Sequence, residues 1–153
     1  MTTSYEHTQK AYPLVVVLAF ALILTAAGYA YDMVVRGPHT AHIITGTFMC
    51  AVIAAVMIFL SSLTVQLDAG YLKIRFGLGL FRKKFTLQDI VSCKPVKNRW
   101  WYGYGIRIIP HGWLYNIYGL NAVELALKSG RIVRIGTDQP EKLAHAVNSA
   151  LSE

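Results

Sequence analysis

Two long stretches of this chain carry no charged side chain, and they limit what it can fold into. Tyr12 to Tyr31, YPLVVVLAFALILTAAGYAY, is 20 residues, and Ile43 to Leu63, IITGTFMCAVIAAVMIFLSSL, is 21. A helix rises about 1.5 Å per residue, so either run spans the roughly 30 Å of bilayer hydrocarbon. The plain alternative is a buried core helix of a soluble protein. Two such runs in a chain of 153 residues tell against it. A cleaved signal peptide has a shorter apolar centre and a small-residue cleavage site, and here a second run follows the first almost at once. Charged residues are 15% of the chain, below the roughly 25% usual in soluble domains. Between Ala11 and Leu63 only Asp32 and Arg36 are charged.

The segment between the runs, DMVVRGPHTAH, holds the turn dipeptide Gly37-Pro38. So short a connection predicts an antiparallel transmembrane hairpin over residues 11–63, with helices at about 12–35 and 41–63. Residues 1–10, a tail, and residues 64–153, a second domain, then lie on one side. Lys73, Arg75, Arg82, Lys83 and Lys84 follow the second run closely, whereas the hairpin tip has only Arg36. The positive-inside rule therefore places both termini in the cytoplasm. Gly46, Cys50 and Ala54 repeat every four residues, Thr47, Ala51 and Ala55 form a parallel row, and Ala26 and Ala30 share the spacing, which suits close helix packing in lipid. Neither run has an ionisable residue at its centre, which argues against a channel or transporter built from this chain alone.

After Leu63 the pattern alternates. TVQLD, YLKIRFG, FRKKFTL, IVSCKPV, GIRIIP, VELALKS and RIVRIG read as seven short strands with turn signals between them, including Asp68-Ala69-Gly70 and Ser129-Gly130. A helix closes the chain. Asp138 reads as its N-cap, with Pro140 and Glu141 in a capping box. Leu143, Val147 and Leu151 form its buried stripe, with Glu141, Lys142 and Asn148 facing out. The expected fold class is an α+β membrane protein: a two-helix hairpin, then a seven-stranded bent barrel or sandwich with a C-terminal capping helix.

The stretches LTVQLDAGYLKIRFGLGLFRKKFTLQDI, WWYGYGIR, GWLYNIYG and VELALKSGRIVRIGTDQPEKLAHAV resemble the bacterial membrane-associated pleckstrin-homology-like (PH-like) domains. The resemblance runs from about Thr64 to Leu151, and its most specific parts are RIGTDQPEKLA and WWYGYG. It implies a PH-like fold and a bacterial inner-membrane, multi-pass location. It implies little about activity, because function belongs to sites and not to folds.

Nothing in the motifs points to catalysis. Asp68, Asp89, Glu124, Asp138, Glu141 and Glu153 each have a turn, strand or capping reading, and no nucleophile signature occurs. No catalytic residue and no cofactor are expected. His39 and His42 have HxxH spacing near Asp32, but histidines beside a membrane turn read equally as interfacial polar groups, so no metal site is assigned. Cys50 and Cys93 fall in different regions and read as free thiols in a reducing compartment.

Charge and aromatic rings carry the functional signal. Beyond Leu63 there are 13 Lys and Arg against six Asp and Glu, an excess of seven positive charges. Alternation places Tyr71, Lys73 and Arg75 outward on one strand and Arg82 and Lys84 outward on the next. Such a face suits anionic lipid head groups, each cation near that surface being worth about 1 kcal/mol. It suits plain solubility equally well. Nucleic acid is not expected, since the basic residues follow no stacking platform. From Asn98 to Gly119 the chain gathers seven Trp and Tyr residues, including all three tryptophans. Lys97, Arg99, Trp100, Trp101 and Trp113 would suit head-group contact or a protein-docking patch. About half of these rings are expected in the core. The leading reading is a non-catalytic, membrane-anchored module that recruits or stabilises a partner protein, or acts in a homo-oligomer. Anionic-lipid recognition is the alternative, and an accessory subunit of a membrane enzyme or transport complex is the second.

Overall fold

A computed structural model describes residues 5–68 and 70–152. Residues 1–4 of the expected tail, Ala69 of the expected hairpin turn, and Glu153 lie outside the described residues. The chain runs β1 (Tyr5–Lys10), α1 (Tyr12–Arg36), α2 (Thr40–Phe59), β2 (Ser62–Asp68), β3 (Tyr71–Phe76), β4 (Phe81–Thr86), β5 (Ile90–Lys97), β6 (Gly105–Ile109), β7 (Gly112–Asn116), β8 (Asn121–Leu127), β9 (Ile132–Gly136) and α3 (Pro140–Leu151). The class is α+β: two long apolar helices, then two sheets and a C-terminal helix.

The two helices form an antiparallel pair that is long and apolar enough to cross a membrane, and neither buries a residue against the rest of the chain. Their contact is close at Gly46, where a side-chain carbon would collide with the Tyr29 ring. At the tip, Asp32 is held by Arg36 at 3.0 Å and by His42 at 2.6 Å, tying the end of α1 to the start of α2. The second helix stops at Phe59, short of the expected Leu63. Ser61 donates its hydroxyl back to the Ile58 carbonyl at 2.8 Å, and the chain enters β2 directly, with Leu63 in the core.

The expectation of seven strands falls short, because β1 and β7 were not foreseen. Residues 5–10 are not a separate tail. They pair antiparallel with β2 from Tyr5↔Leu67 to Lys10↔Ser62, making the four-stranded sheet β1-β2-β3-β4. The second sheet has the order β5-β8-β9-β7-β6, with a parallel pairing of β7 on β9 that begins at Gly112. Gly112 has φ 138°, and a Cβ there would run into the Ile132 carbonyl, so the close approach of these strands requires glycine. Because β1 precedes the hairpin, residues 64–153 do not make a complete sheet pair on their own.

Alternation fills one core between the sheets. Leu63, Val65 and Leu67 of β2 and Leu72, Ile74 and Phe76 of β3 meet Val123, Leu125, Val133 and Ile135 of the other sheet, while α3 adds Leu143, Ala144 and Val147. The N-cap of α3 is Gln139 and not Asp138, and no side chain caps the helix. Asp138 instead meets His7 of β1 at 2.5 Å, and Thr137 accepts the Gln139 amide at 3.1 Å. Asn148 is exposed, as expected, and also clamps the backbone of Cys93. Its side-chain nitrogen donates to the carbonyl at 2.8 Å and its oxygen accepts the amide at 3.1 Å. The outer edge of β5 is thereby covered by α3.

If residues 5–10 are a strand, removing residues 1–10 should lower the melting temperature of the detergent-solubilised protein by about 5 °C or more. An unchanged melting temperature would show that the segment adds nothing to the sheet.

Candidate functional site

The outer face of the four-stranded sheet is built by the register of β3 and β4. Arg75 lies opposite Arg82, and Lys73 opposite Lys84. Residues directly opposite in a ladder point to the same face, so these four cations form a two-by-two block. They border a shallow hollow of about 370 Å³, with Thr64 and Gln66 of β2 on its far side. Like charges placed directly opposite each other destabilise a strand pair. The chain relieves this only in part. Lys73 pairs with Asp68, Lys84 sits over the Tyr71 ring at 3.2 Å from its centroid, and Arg82 Nε donates to the Gly79 carbonyl at 3.1 Å. No carboxylate pairs with Arg75, Arg82 or Lys84 among the described residues.

The block sits beside the end of the helical hairpin. Gly77, in the turn after β3, donates its amide to Ser62 at 2.8 Å, and a Cβ on it would meet the Ile58 carbonyl. Phe59 of α2 stacks on Phe76 with centroids 5.3 Å apart. The turn therefore rests on the C-terminal end of α2. It presents Leu78 and Leu80, 83% and 71% exposed. Arg75 and Arg82 lie about two residues, roughly 7 Å of strand, from this turn.

The other predicted site residues occupy the second sheet. Lys97 ends β5, and Arg99 leads into a 3₁₀ turn at Trp100–Tyr102. The Arg99 guanidinium lies 5.0 Å from the Trp101 ring centroid, within cation–π range. Trp100 and Trp101 pack edge to face and are 76% and 56% exposed. Trp113 is on β7, exposed, and stacks on Tyr115. So the nine expected residues fall into three places, not one: the block on β3 and β4, the loop after β5, and the inner side of β7. Only Tyr115 of the seven rings is buried, which overturns the expectation that half would be core. Five of the others lie outside the strands, in the 3₁₀ turn and loops, and Trp113 lies opposite the exposed Ile108.

Sequence reasoning missed a polar network that sets the aromatic loop. Glu124 on β8 is buried between Arg134 of β9, at 2.7 Å, and Lys94 of β5, at 3.0 Å. Arg134 also donates to the Asn98 side chain at 3.3 Å, and the Asn98 amide bonds to Leu120 at 2.6 Å. Asn98 is buried at the base of the loop that carries Trp100 and Trp101. Burial alone would raise the Glu124 carboxyl, but its bonds to Lys94 and Arg134 outweigh that and hold it below the ordinary value. In Cys93, burial pushes the thiol up to about 12, so it stays protonated and unreactive near neutral pH. Among the described residues no group of three or more His, Cys, Asp or Glu side chains could hold a metal ion.

No protein-family model matches the chain, and no curated protein matches it.

The Glu124 bonds should be visible in stability. Its lowered value in the folded chain means that its contribution is whole above about pH 4.3, the ordinary glutamate value, and fades as pH falls through the lowered one. Glu124→Gln should cost about 3 kcal/mol at pH 7, by leaving Arg134 unpaired. The gap from the unmodified protein should narrow in denaturant titrations as pH falls through that lowered value.

Proposed function

We propose that the chain is a non-catalytic, membrane-anchored PH-like module whose basic sheet face binds anionic lipid head groups. The observation that carries this reading is the block of Lys73, Arg75, Arg82 and Lys84, with like charges directly opposed, set beside the end of α2. A phosphate group near Arg75 and Arg82 would relieve a repulsion that the chain itself leaves standing. Guanidinium groups suit phosphate because they offer paired donors in a plane. The exposed Leu78 and Leu80 would dip into the head-group region and hold the face against the surface.

Membrane anchoring is supported by two apolar helices with no buried residue, since such surface needs a non-aqueous neighbour. The PH-like reading is supported by two sheets around one core with a C-terminal helix against β5. On the positive-inside rule the sheets and both termini face the cytoplasm of a bacterial cell, where the leaflet is anionic. A second reading, recruitment of a partner protein, is favoured by Trp100 and Trp101. They are large, adjacent and exposed, and Arg99 covers one of them.

Replacing Arg75, Arg82 and Lys84 together by Glu should weaken retention of phosphatidylglycerol over phosphatidylcholine at least 100-fold, from about 1 kcal/mol per removed cation. Native mass spectrometry of the detergent-released chain reads this directly. Retention that ignores lipid charge in the unmodified protein would sink the lipid reading. For topology, a reporter fused after residue 153 should be active only in a cytoplasmic form, and activity of an exported form would reverse the orientation.

A further inference from the structure

Each sheet has two edges, and the four are not treated alike. The β5 edge is covered by α3 through Asn148. The β1 strand is tied across to the second sheet, with Gln9 donating to the Tyr118 carbonyl at 2.9 Å and His7 meeting Asp138. Among the described residues no strand pairs with the remaining edges, β4 and β6. Between β4 and the second sheet lies a groove of about 710 Å³, bordered by every residue from Phe81 to Thr86. It therefore follows the whole strand, about 20 Å at the usual rise. Its inner side is aromatic: Tyr115 stacks on Phe81 at 6.0 Å and meets Phe85 edge to face at 6.3 Å, with Trp113 and Val133 beyond.

An unpaired strand edge is a row of free amide donors and carbonyl acceptors, and an extended segment can add to it. The occupant follows from charge. In β4 the sequence FRKKF sends Arg82 and Lys84 to the outer face and Lys83 inward between Phe81 and Phe85. Arg131 stands on the opposite wall. Neither Lys83 nor Arg131 forms an ion pair among the described residues, and the one acid in the groove is Asp89. A second copy of β4 laid along the first would oppose Arg82, Lys83 and Lys84 with the same cations. That repulsion disfavours self-pairing here and favours an anionic guest. We infer that the β4 edge takes an extended segment of a partner protein, about six residues long, in which acidic and apolar side chains alternate. Its outward acids would meet Arg82 and Lys84, and its inward apolar side chains would lie on Phe81, Phe85 and Tyr115. This deepens the partner-recruiting reading and does not depend on lipid contact at Arg75.

The test uses the full chain in phosphatidylcholine nanodiscs and a fluorescent octapeptide alternating glutamate and valine, read by anisotropy. Saturable binding is expected. It should weaken at least tenfold when alternate peptide nitrogens are methylated, which removes strand pairing, and at least tenfold with Lys84→Glu, which opposes the guest's outward acids. The lysine–valine peptide should not bind. Arg75→Glu should leave peptide binding intact while reducing lipid preference, so failure of one site does not read as failure of the other. Absence of saturable binding overturns the proposal, as does equal binding of the methylated peptide. Displacement of the peptide by phosphatidylglycerol in the nanodisc would make the groove a lipid site. A disulfide formed between two Lys83→Cys copies would make the second copy the occupant. Either result overturns the assignment to a partner segment.

Discussion

The pairing of β1 with β2 is the constraint on which the rest of the molecule stands. The helical hairpin returns the chain beside its own start, so Ala11 donates its amide to Ser61 at 3.1 Å and Lys10 lies opposite Ser62. The ladder begins there, with the entropy of bringing distant residues together already met by helix pairing. Register then follows. A slip of one residue would turn Leu63, Val65 and Leu67 out of the core, and the hairpin leaves no room for it. The sheet and the hairpin thus meet through backbone and ring contacts, and the basic face sits beside the end of α2.

One strand generates two surfaces of different chemistry. On β4, the period of two sends Arg82 and Lys84 to a flat cationic face and Phe81, Lys83 and Phe85 to an aromatic groove. The first surface fits phosphate, which accepts from several donors at once. The second has an apolar floor and an open backbone edge, which fits an extended chain. The aromatic loop is separate from both. Its position is set by Asn98, Arg134 and Glu124, a buried polar network in which Arg134 bridges the Glu124 carboxylate and the Asn98 side-chain oxygen.

Some elements were legible because their signal is local. The uncharged runs marked α1 and α2, and the alternation in YLKIRF and FRKKF marked β3 and β4 with the correct outward residues. Tyr5–Lys10 gave no such signal. YEHTQK has a single large apolar side chain, and it becomes a strand only because β2 offers it a partner. GWLYN was hidden inside the aromatic segment, since its five residues include the crowded Gly112. Asp138 looked like a helix cap by spacing, but His7, 131 residues away in the chain, claims it.

From sequence alone came the quantities that depend on neighbouring residues: helix length, strand alternation, and the gathering of positive charge after Leu63. Periodicity reports which way a side chain faces relative to its own strand, and nothing more. Tertiary structure decided what lies opposite. It set Arg75 against Arg82, left the β4 edge open while α3 closed the edge of β5, and exposed Trp100 and Trp101 when a core role was equally open to them. These outcomes depend on pairings between residues far apart in the chain, and no local pattern encodes a partner's register or reach.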